Sequence, residues 1–217
     1  MIKVENIDVW GFEHAIRGMR NPLNSWDKSD SEFVPWDISD ITIGKNDLDL
    51  MKRLYKAGTE HRKYLRQIFV SMDITAPLYL WGELDTYKIG TTRNSCSKMH
   101  KIHSKEIELS DFSFEDYEID DEGICIKDCF INVVTDCEML RKKYLATKDK
   151  KYWRALIQLL PESYNQKATL TMNYENVMTI ITQRTGHKLN EWNDFVKILL
   201  DLPYVKEIRG VENEKEN

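Results

Sequence analysis

The segment LPESYNQKATLTMNYENVMTIITQRTGHKLNEW, from Leu160 to Trp192, limits what this chain can fold into more than any other stretch. Pro161 cannot continue a helix and biases its neighbour toward extended geometry, so the element before it ends there. Glu162 to Lys167 is polar, and Thr169 to Met172 is a short β-prone run. Asn173 is a good helix N-cap, because its side-chain oxygen can accept from the free amides of the first turn. Glu175 follows in that turn, where a carboxylate meets the positive end of the helix dipole. Val177, Met178, Ile180 and Ile181 recur at helical spacing and predict one buried face. Gly186 suits the position just past a helix end. A second helix is predicted from Leu189 to Leu202, with Trp192, Phe195, Val196, Leu199 and Leu200 inward and Pro203 as its stop.

Arg184 sits in the last turn of the first helix, eleven residues after Asn173, and His187 and Lys188 lie just beyond it. Two readings of this arginine stand side by side. It can cap the free carbonyls of its own helix. It can instead reach past the helix end to an anionic or carbonyl-rich ligand, where a rigid fork of donors is useful.

The rest of the composition narrows the class. The 217 residues suffice for one substantial core. Charged residues are 31% and hydrophobic ones 41%, which describes a soluble globular protein. A net charge of −5 argues against a general nucleic-acid binder, although a local basic patch can still hold a phosphate. No run approaches the roughly 20 apolar residues of a membrane helix. The opening MIKVENIDVWGF lacks the basic start and apolar core of a signal peptide, so a cytoplasmic protein is expected. Cys96, Cys125, Cys129 and Cys137 form no CxxC pair and are expected as reduced thiols. His100 and His103 lie near Cys96, but zinc needs a second ligand pair at matching spacing, and no metal site is expected.

Along the chain, Ile2 to Val9 predicts a strand and Phe12 to Met19 a short helix. Asn21 to Ser39 reads as a polar loop, packed on the body or a neighbouring subunit through Trp26, Phe33 and Trp36. Asn46 or Asp47 is expected to cap the next helix, which Gly58 interrupts. Ile68 to Ile74 predicts a strand. Pro77 suits the first turn of a helix carrying Leu78 to Leu84 and ending near Gly90. Thr91 to His103 reads as a polar, basic loop, either solvated or suited to phosphate. Long and short helices are predicted at Lys127 to Ala146 and Trp153 to Leu160. The charged tail, residues 211–217, is expected to be disordered. No internal repeat and no Walker or Rossmann glycine motif occurs.

Two blocks resemble the flavin-dependent thymidylate synthases. The spacing of twelve residues from Pro161 to Asn173, the aliphatic helix and the closing Arg184 follow that family's C-terminal signature without a gap. Upstream, GTEHRKYLRQIFVSMDITAP matches without a gap from His61 to Pro77. The family's Arg-His-Arg, seven residues, Ser signature is degraded here. The equivalent stretch is Thr86-Tyr87-Lys88, seven residues, Cys96, and only the basic third position survives. Lys98 falls where the family has a phosphate-binding arginine, and Glu83 where it has a nucleotide-binding glutamine.

The resemblance implies an α+β fold with a mainly antiparallel sheet and packed helices, in a single domain over residues 1–210. It implies an FAD-dependent enzyme that moves a one-carbon unit from methylenetetrahydrofolate, with NADPH as reductant, to C5 of a deoxypyrimidine monophosphate, methylating dUMP to dTMP. FAD contacts fall on His61, Tyr87, Lys88, Asn173, His187 and Lys188. Nucleotide contacts fall on Glu83, Ser95, Cys96, Ser97, Lys98 and Arg184, with Arg184 activating the pyrimidine. A homotetramer with shared active sites is implied. Because Glu83 is an acceptor-only carboxylate, dCMP as substrate or hydroxymethylation as outcome remains open. So does a nucleotide-binding protein without turnover, given the degraded motif.

Overall fold

The computed structural model describes residues 2–34, 37–115, 120–121 and 124–210. It is an α+β protein of helices and antiparallel sheet. In chain order the elements are β1 (Lys3–Trp10), α1 (Phe12–Arg20), β2 (Glu32–Val34), β3 (Asp37–Thr42), α2 (Lys45–Lys56), β4 (Phe69–Pro77), α3 (Leu78–Leu84), β5 (Thr91–Ser95), α4 (Lys98–Lys101), β6 (Asp120–Asp121), β7 (Ile124–Cys125), α5 (Ile126–Thr147), α6 (Lys150–Leu159), β8 (Asn165–Asn173), α7 (Tyr174–Arg184), α8 (Asn190–Leu200) and α9 (Val205–Arg209). The main sheet has the order β1-β4-β8-β5. Contacts divide the chain into two compact units: one of Met1–Lys3, Ile74–Thr86 and Asn94–Ala168, the other of Val4–Asp73, Tyr87–Arg93 and the chain from Thr169 onward.

In the second unit the central strands alternate as half-buried sheet requires. Val70 and Met72 on β4, and Leu170 and Met172 on β8, are buried. Tyr174, Val177, Met178, Ile180 and Ile181 give α7 its predicted buried face, and Trp192, Phe195 and Leu199 do the same for α8. Phe12 packs edge-on against Tyr174 at 5.6 Å. Gly11 has φ +96°, and a Cβ there would lie 2.1 Å from the Gln67 carbonyl oxygen, so only glycine allows this approach. In the first unit, Phe112, Phe130, Val134, Cys137 and Leu156 form a core between α5, α6 and the chain before them. Phe112 meets Phe130 edge-on at 5.5 Å.

Several expectations change. Asn21 to Ser39 is not a plain loop: two short 3₁₀ turns lead into the antiparallel β2–β3 hairpin. Strands so short, with a register shift after Phe33, leave no readable alternation. Trp26 stays half exposed and donates to the Asn21 amide oxygen at 2.8 Å. Helix α2 is capped neither by Asn46 nor by Asp47. The Asp30 carboxylate accepts from both their backbone amides, at 2.9 and 3.1 Å, a long-range cap that local sequence does not reveal. Helix α3 ends at Leu84 rather than near Gly90. Thr91 to His103 holds strand β5 and the short α4, because β5 is satisfied by pairing in the sheet and not by a pattern of its own. Helix α9, after Pro203, carries buried Val205 and Ile208 and went unforeseen. Trp36, Tyr117 and the tail at 211–217 lie outside the described residues.

Candidate functional site

Strand β8 delivers its last residue, Asn173, as the N-cap of α7, and the Asn173 side chain accepts from the Asn176 amide at 3.0 Å. Asn176 in turn donates to the Ile89 carbonyl at 2.7 Å and to the Thr91 hydroxyl at 2.9 Å. Gly90, at φ +74°, presses on the Asn173 amide nitrogen, where a Cβ would lie at 2.4 Å. The N-terminus of α7 therefore fixes the backbone of residues 87–91. Asn173 itself is only 8% exposed and lies against that loop.

The C-terminus of α7 gathers three of the expected residues. Arg184 Nε donates to the Tyr87 hydroxyl at 2.9 Å, and that hydroxyl donates to the Gln183 side-chain oxygen at 2.9 Å. The guanidinium carbon lies 4.5 Å from the Trp192 ring centroid and 5.7 Å from that of Tyr87, within cation–π range of both. Arg184 Nη1 lies 3.3 Å from His187 Nε2. The His187 and Tyr87 rings each meet Trp192 obliquely at 6.2 Å. The end of the helix is served by other groups. Thr185 covers the Ile181 carbonyl with its amide at 3.2 Å and its hydroxyl at 2.6 Å. The His187 amide covers the Arg184 carbonyl at 3.1 Å. The contacts described for the Arg184 guanidinium are to Tyr87, Trp192 and His187.

Trp192 went unrecognised as a site residue, since its helical spacing marks it equally well as core. Its indole is fully buried as core, and it also serves as the floor under the guanidinium. Gln183 was likewise missed.

His61, Lys88 and Lys188 are exposed side chains of the same unit, and no hydrogen bond, ion pair or ring contact ties them to the Arg184 cluster among the described residues. The neighbouring arginines are committed: Arg66 pairs with Glu175, and Arg62 lies 3.6 Å from the same carboxylate and 5.5 Å from the Tyr55 ring centroid.

In the first unit, Cys96, Ser97 and Lys98 line a cavity of about 390 Å³ together with Lys101, Lys105 and Lys167. Ser95 is half-buried at the end of β5 just before it. The strand partner of this segment is β8: the Cys96 amide donates to the Lys167 carbonyl at 2.9 Å, and Gln166 donates to the Cys96 carbonyl at 2.6 Å. The Ser97 hydroxyl accepts from the His100 amide at 3.2 Å. Lys105 is paired with Asp111 at 2.5 Å, a hydrogen bond that raises the ammonium's pKa. Among the described residues Lys98 and Lys101 have no such partner, so the cavity keeps cationic donors for an anion. Burial raises the Tyr164 phenol on the same wall, with the Asp111 charge adding to it. Glu83, half-buried on α3, also belongs to this unit. Lys101, Lys105 and Lys167 were not foreseen; the density of lysine after Cys96 signals the first two, and Lys167 comes to the cavity only through the pairing with β8. No group of three or more His, Cys, Asp or Glu residues able to hold a metal occurs among the described residues. Nor is any of their helices long and apolar enough to cross a membrane.

No protein-family model and no curated protein matches this sequence. Solved structures do. Thymidylate synthase X (ThyX) from Helicobacter pylori, solved with FAD and dUMP, aligns with a TM-score of 0.71 at 18% identity, covering 96% of this chain and 97% of that one. A flavin-dependent thymidylate synthase ThyX from the same organism, complexed with FAD and dUMP, aligns with a TM-score of 0.66 at 17% identity over 96% of each chain. At such identities the likeness establishes the fold, and the fold is the one the resemblance implied.

Proposed function

We propose that this chain is an FAD-dependent enzyme that transfers a one-carbon unit from methylenetetrahydrofolate to C5 of a deoxypyrimidine monophosphate, with dUMP as substrate and dTMP as product. The observation that carries the reading is Arg184. Its guanidinium is set on Trp192 and gripped at Nε by Tyr87, on a fold shared with enzymes solved with FAD and dUMP. Such a cation can stabilise the negative charge that develops on a pyrimidine carbonyl when its ring is activated at C5.

The residues present fit FAD in kind. His61, Lys88 and Lys188 are exposed donors, suited to an anionic pyrophosphate, and the loop at 87–91 is fixed by Asn173 and Asn176. Bound flavin would supply the redox chemistry, with NADPH as the reductant. The chain's own contributions are positional. Tyr87 orients Arg184, and Arg184 binds and polarises the base. Ser95, Cys96, Ser97 and Lys98, with Lys101, hold the phosphate in the cationic cavity. A cytoplasmic homotetramer with shared sites, each chain acting as one domain over residues 1–210, completes the reading.

One observation favours a second reading. Glu83 is an acceptor-only carboxylate, which would accept from the exocyclic amine of cytosine or from an N–H of uracil. Hydroxymethylation of dUMP or dCMP by the same scaffold follows if water rather than hydride completes the transfer. The test is incubation with FAD, NADPH, methylenetetrahydrofolate and either dUMP or dCMP, with products read by mass spectrometry. A mass gain of one methyl or one hydroxymethyl group decides between the readings. No product together with no flavin uptake overturns both.

A further inference from the structure

We propose that the turn between α5 and α6 is a docking surface for duplex DNA, bound through its phosphate backbone and without regard to sequence. The inference goes beyond the function proposed above and does not depend on it. Residues 141–154 read RKKYLATKDKKYWR: seven lysines and arginines against one acid, a local charge of +6 in a chain whose net charge is −5. The overall charge argues against a general nucleic-acid binder, and it conceals this concentration.

The fold gathers the run into one patch of the first unit, between the end of α5 at Thr147 and the start of α6 at Lys150. Lys143 from α5 and Lys151 from α6 both lie over the Tyr152 ring, 5.7 and 4.8 Å from its centroid. Lys148 lies over Tyr144 at 6.0 Å. Arg141 and Lys142 pair with Glu138, and Lys151 pairs with Asp149. Lys143, Lys148, Lys150 and Arg154 are exposed, and none has a carboxylate partner among the described residues.

Nothing local calls for cations here. Lys148 closes α5 at φ +58°, where glycine is the usual residue. Lys150 and Lys151 open α6, where the helix dipole favours acids, and its first turn holds none. Lys150 and Arg154 lie one turn apart, a like-charge spacing that weakens a helix. Local preferences set aside together at one place mark a surface kept for a ligand. The turn itself is held in shape: the Lys148 amide donates to the Tyr144 carbonyl at 2.8 Å, and Asp149 accepts from the Lys151 amide at 3.0 Å.

The rest of the patch selects among polyanions. No large apolar side chain is exposed among residues 140–158, so nothing here can insert into a lipid bilayer. Tyr144 and Tyr152 are half-buried with ammonium groups over their rings, so neither offers an open ring for an unpaired base. Exposed cations on a rigid turn fit the phosphate rows of a duplex, which carries one charge per about 1.7 Å of its axis.

Fluorescence anisotropy of the full chain with a mixed-sequence duplex of about 20 base pairs tests the proposal. The wild type should bind in the micromolar range at about 50 mM salt and weaken steeply toward about 200 mM. Each phosphate contact contributes about 0.9 to the slope of log affinity against log salt. Lys143→Gln, Lys148→Gln, Lys150→Gln and Arg154→Gln combined should therefore lower that slope by about 3–4 and weaken binding at least about tenfold, with the melting temperature held. Lys143→Arg, Lys148→Arg and Lys150→Arg combined keep the charge and should stay within about threefold. Lys98→Gln with Lys101→Gln, in the cavity of the same unit, should also stay within about threefold. A quadruple variant with wild-type affinity and slope overturns the proposal. So does a wild type that ignores the duplex, prefers a single strand of the same length, or binds only vesicles rich in phosphatidylserine. A loss in the cavity variant as large as in the quadruple one moves the DNA to the cavity and overturns the turn as its site.

Discussion

Arg20 and Arg184 are each the last residue of a helix in the same unit, α1 and α7, and they are used in opposite ways. Arg20 is 3% exposed. Its Nε meets Asp47 at 2.6 Å, its Nη1 the Ser25 carbonyl at 3.1 Å and its Nη2 the Lys28 carbonyl at 3.0 Å. Asp47 also accepts from the Ser29 and Ser31 hydroxyls and the Asp30 and Ser31 amides. Burial alone would raise the Asp47 carboxyl, but the hydrogen bonds from Ser31, Arg20, Ser29 and Asp30 together hold it below its usual range. Here an arginine stitches the chain between α1 and α2 to the helices. Arg184 is half-buried and is oriented instead by a phenol, an imidazole and an indole. Arginines at equivalent helix positions thus divide into a structural one, neutralised in the interior, and one whose plane is set by rings near the surface.

Breaking the structural member should have the largest effect. Asp47→Ala leaves the Arg20 cation buried without its counter-charge, which typically costs about 3–5 kcal/mol. Denaturant unfolding should show that loss in the midpoint. A loss under about 1 kcal/mol would mean that water reaches Arg20, and the contrast with Arg184 would collapse.

Arg184→Lys tests the other member. A lysine keeps charge but not the planar fork, so nucleotide affinity should fall by ~1.5–3 kcal/mol, the range for a hydrogen bond to a charged group. The melting temperature should hardly move, because Thr185 already serves the Ile181 carbonyl and the His187 amide the Arg184 carbonyl at the end of α7. Lower stability with unchanged affinity would make Arg184 structural as well.

A third pair, in the other unit, sharpens the comparison through pH. Glu138 accepts from Arg141 Nε and Nη2, both at 2.7 Å, and from the Ile107 amide at 2.9 Å. The hydrogen bonds from Arg141, opposed by burial and aided by Ile107, bring its pKa from 4.5 to about 2. A depressed folded-state pKa gives stability that is present above pH 4.5 and lost as pH falls toward 2. Glu138→Gln should cost about 1–2 kcal/mol at neutral pH. It should also flatten the fall in melting temperature between pH 4.5 and 2. An unchanged acid profile would show that other carboxylates control that limb.

These contrasts mark what the sequence could disclose. Asn173 as cap and the inward faces of α7 and α8 were legible, because capping and a 3.6-residue period are local. Arg20 and Asp47 were not, since their pairing depends on a loop folding back between them. The same reason hid Asp30 as the cap of α2. Strand β5 was hidden in a basic, polar run whose partner, β8, lies far along the chain. At the candidate site, the place of Arg184 after Asn173 was legible, whereas the contact of Trp192 with its guanidinium could not be separated from ordinary core by spacing. Tyr87 was expected only as a flavin contact, because a hydroxyl that joins Gln183 to Arg184 exists only once the loop before β5 lies against the end of α7.

Tyr87→Phe is the smallest expected effect and the finest probe of the comparison. The substitution keeps the ring that lies 5.7 Å from the guanidinium and 6.2 Å from Trp192, and removes only the hydroxyl. The hydroxyl is a single neutral link between Gln183 and Arg184, and the side chain is half-buried, so stability should change by less than about 1 kcal/mol. If that link orients Arg184, nucleotide affinity should fall by about 0.5–1.5 kcal/mol. The same substitution placed on Arg184→Lys should then cost little more, because lysine has no Nε donor for the hydroxyl to hold. Such a shortfall from additivity is the signature of residues acting through one contact. Full additivity would instead mean that Trp192 alone sets the guanidinium plane and that the Tyr87 hydroxyl serves Gln183.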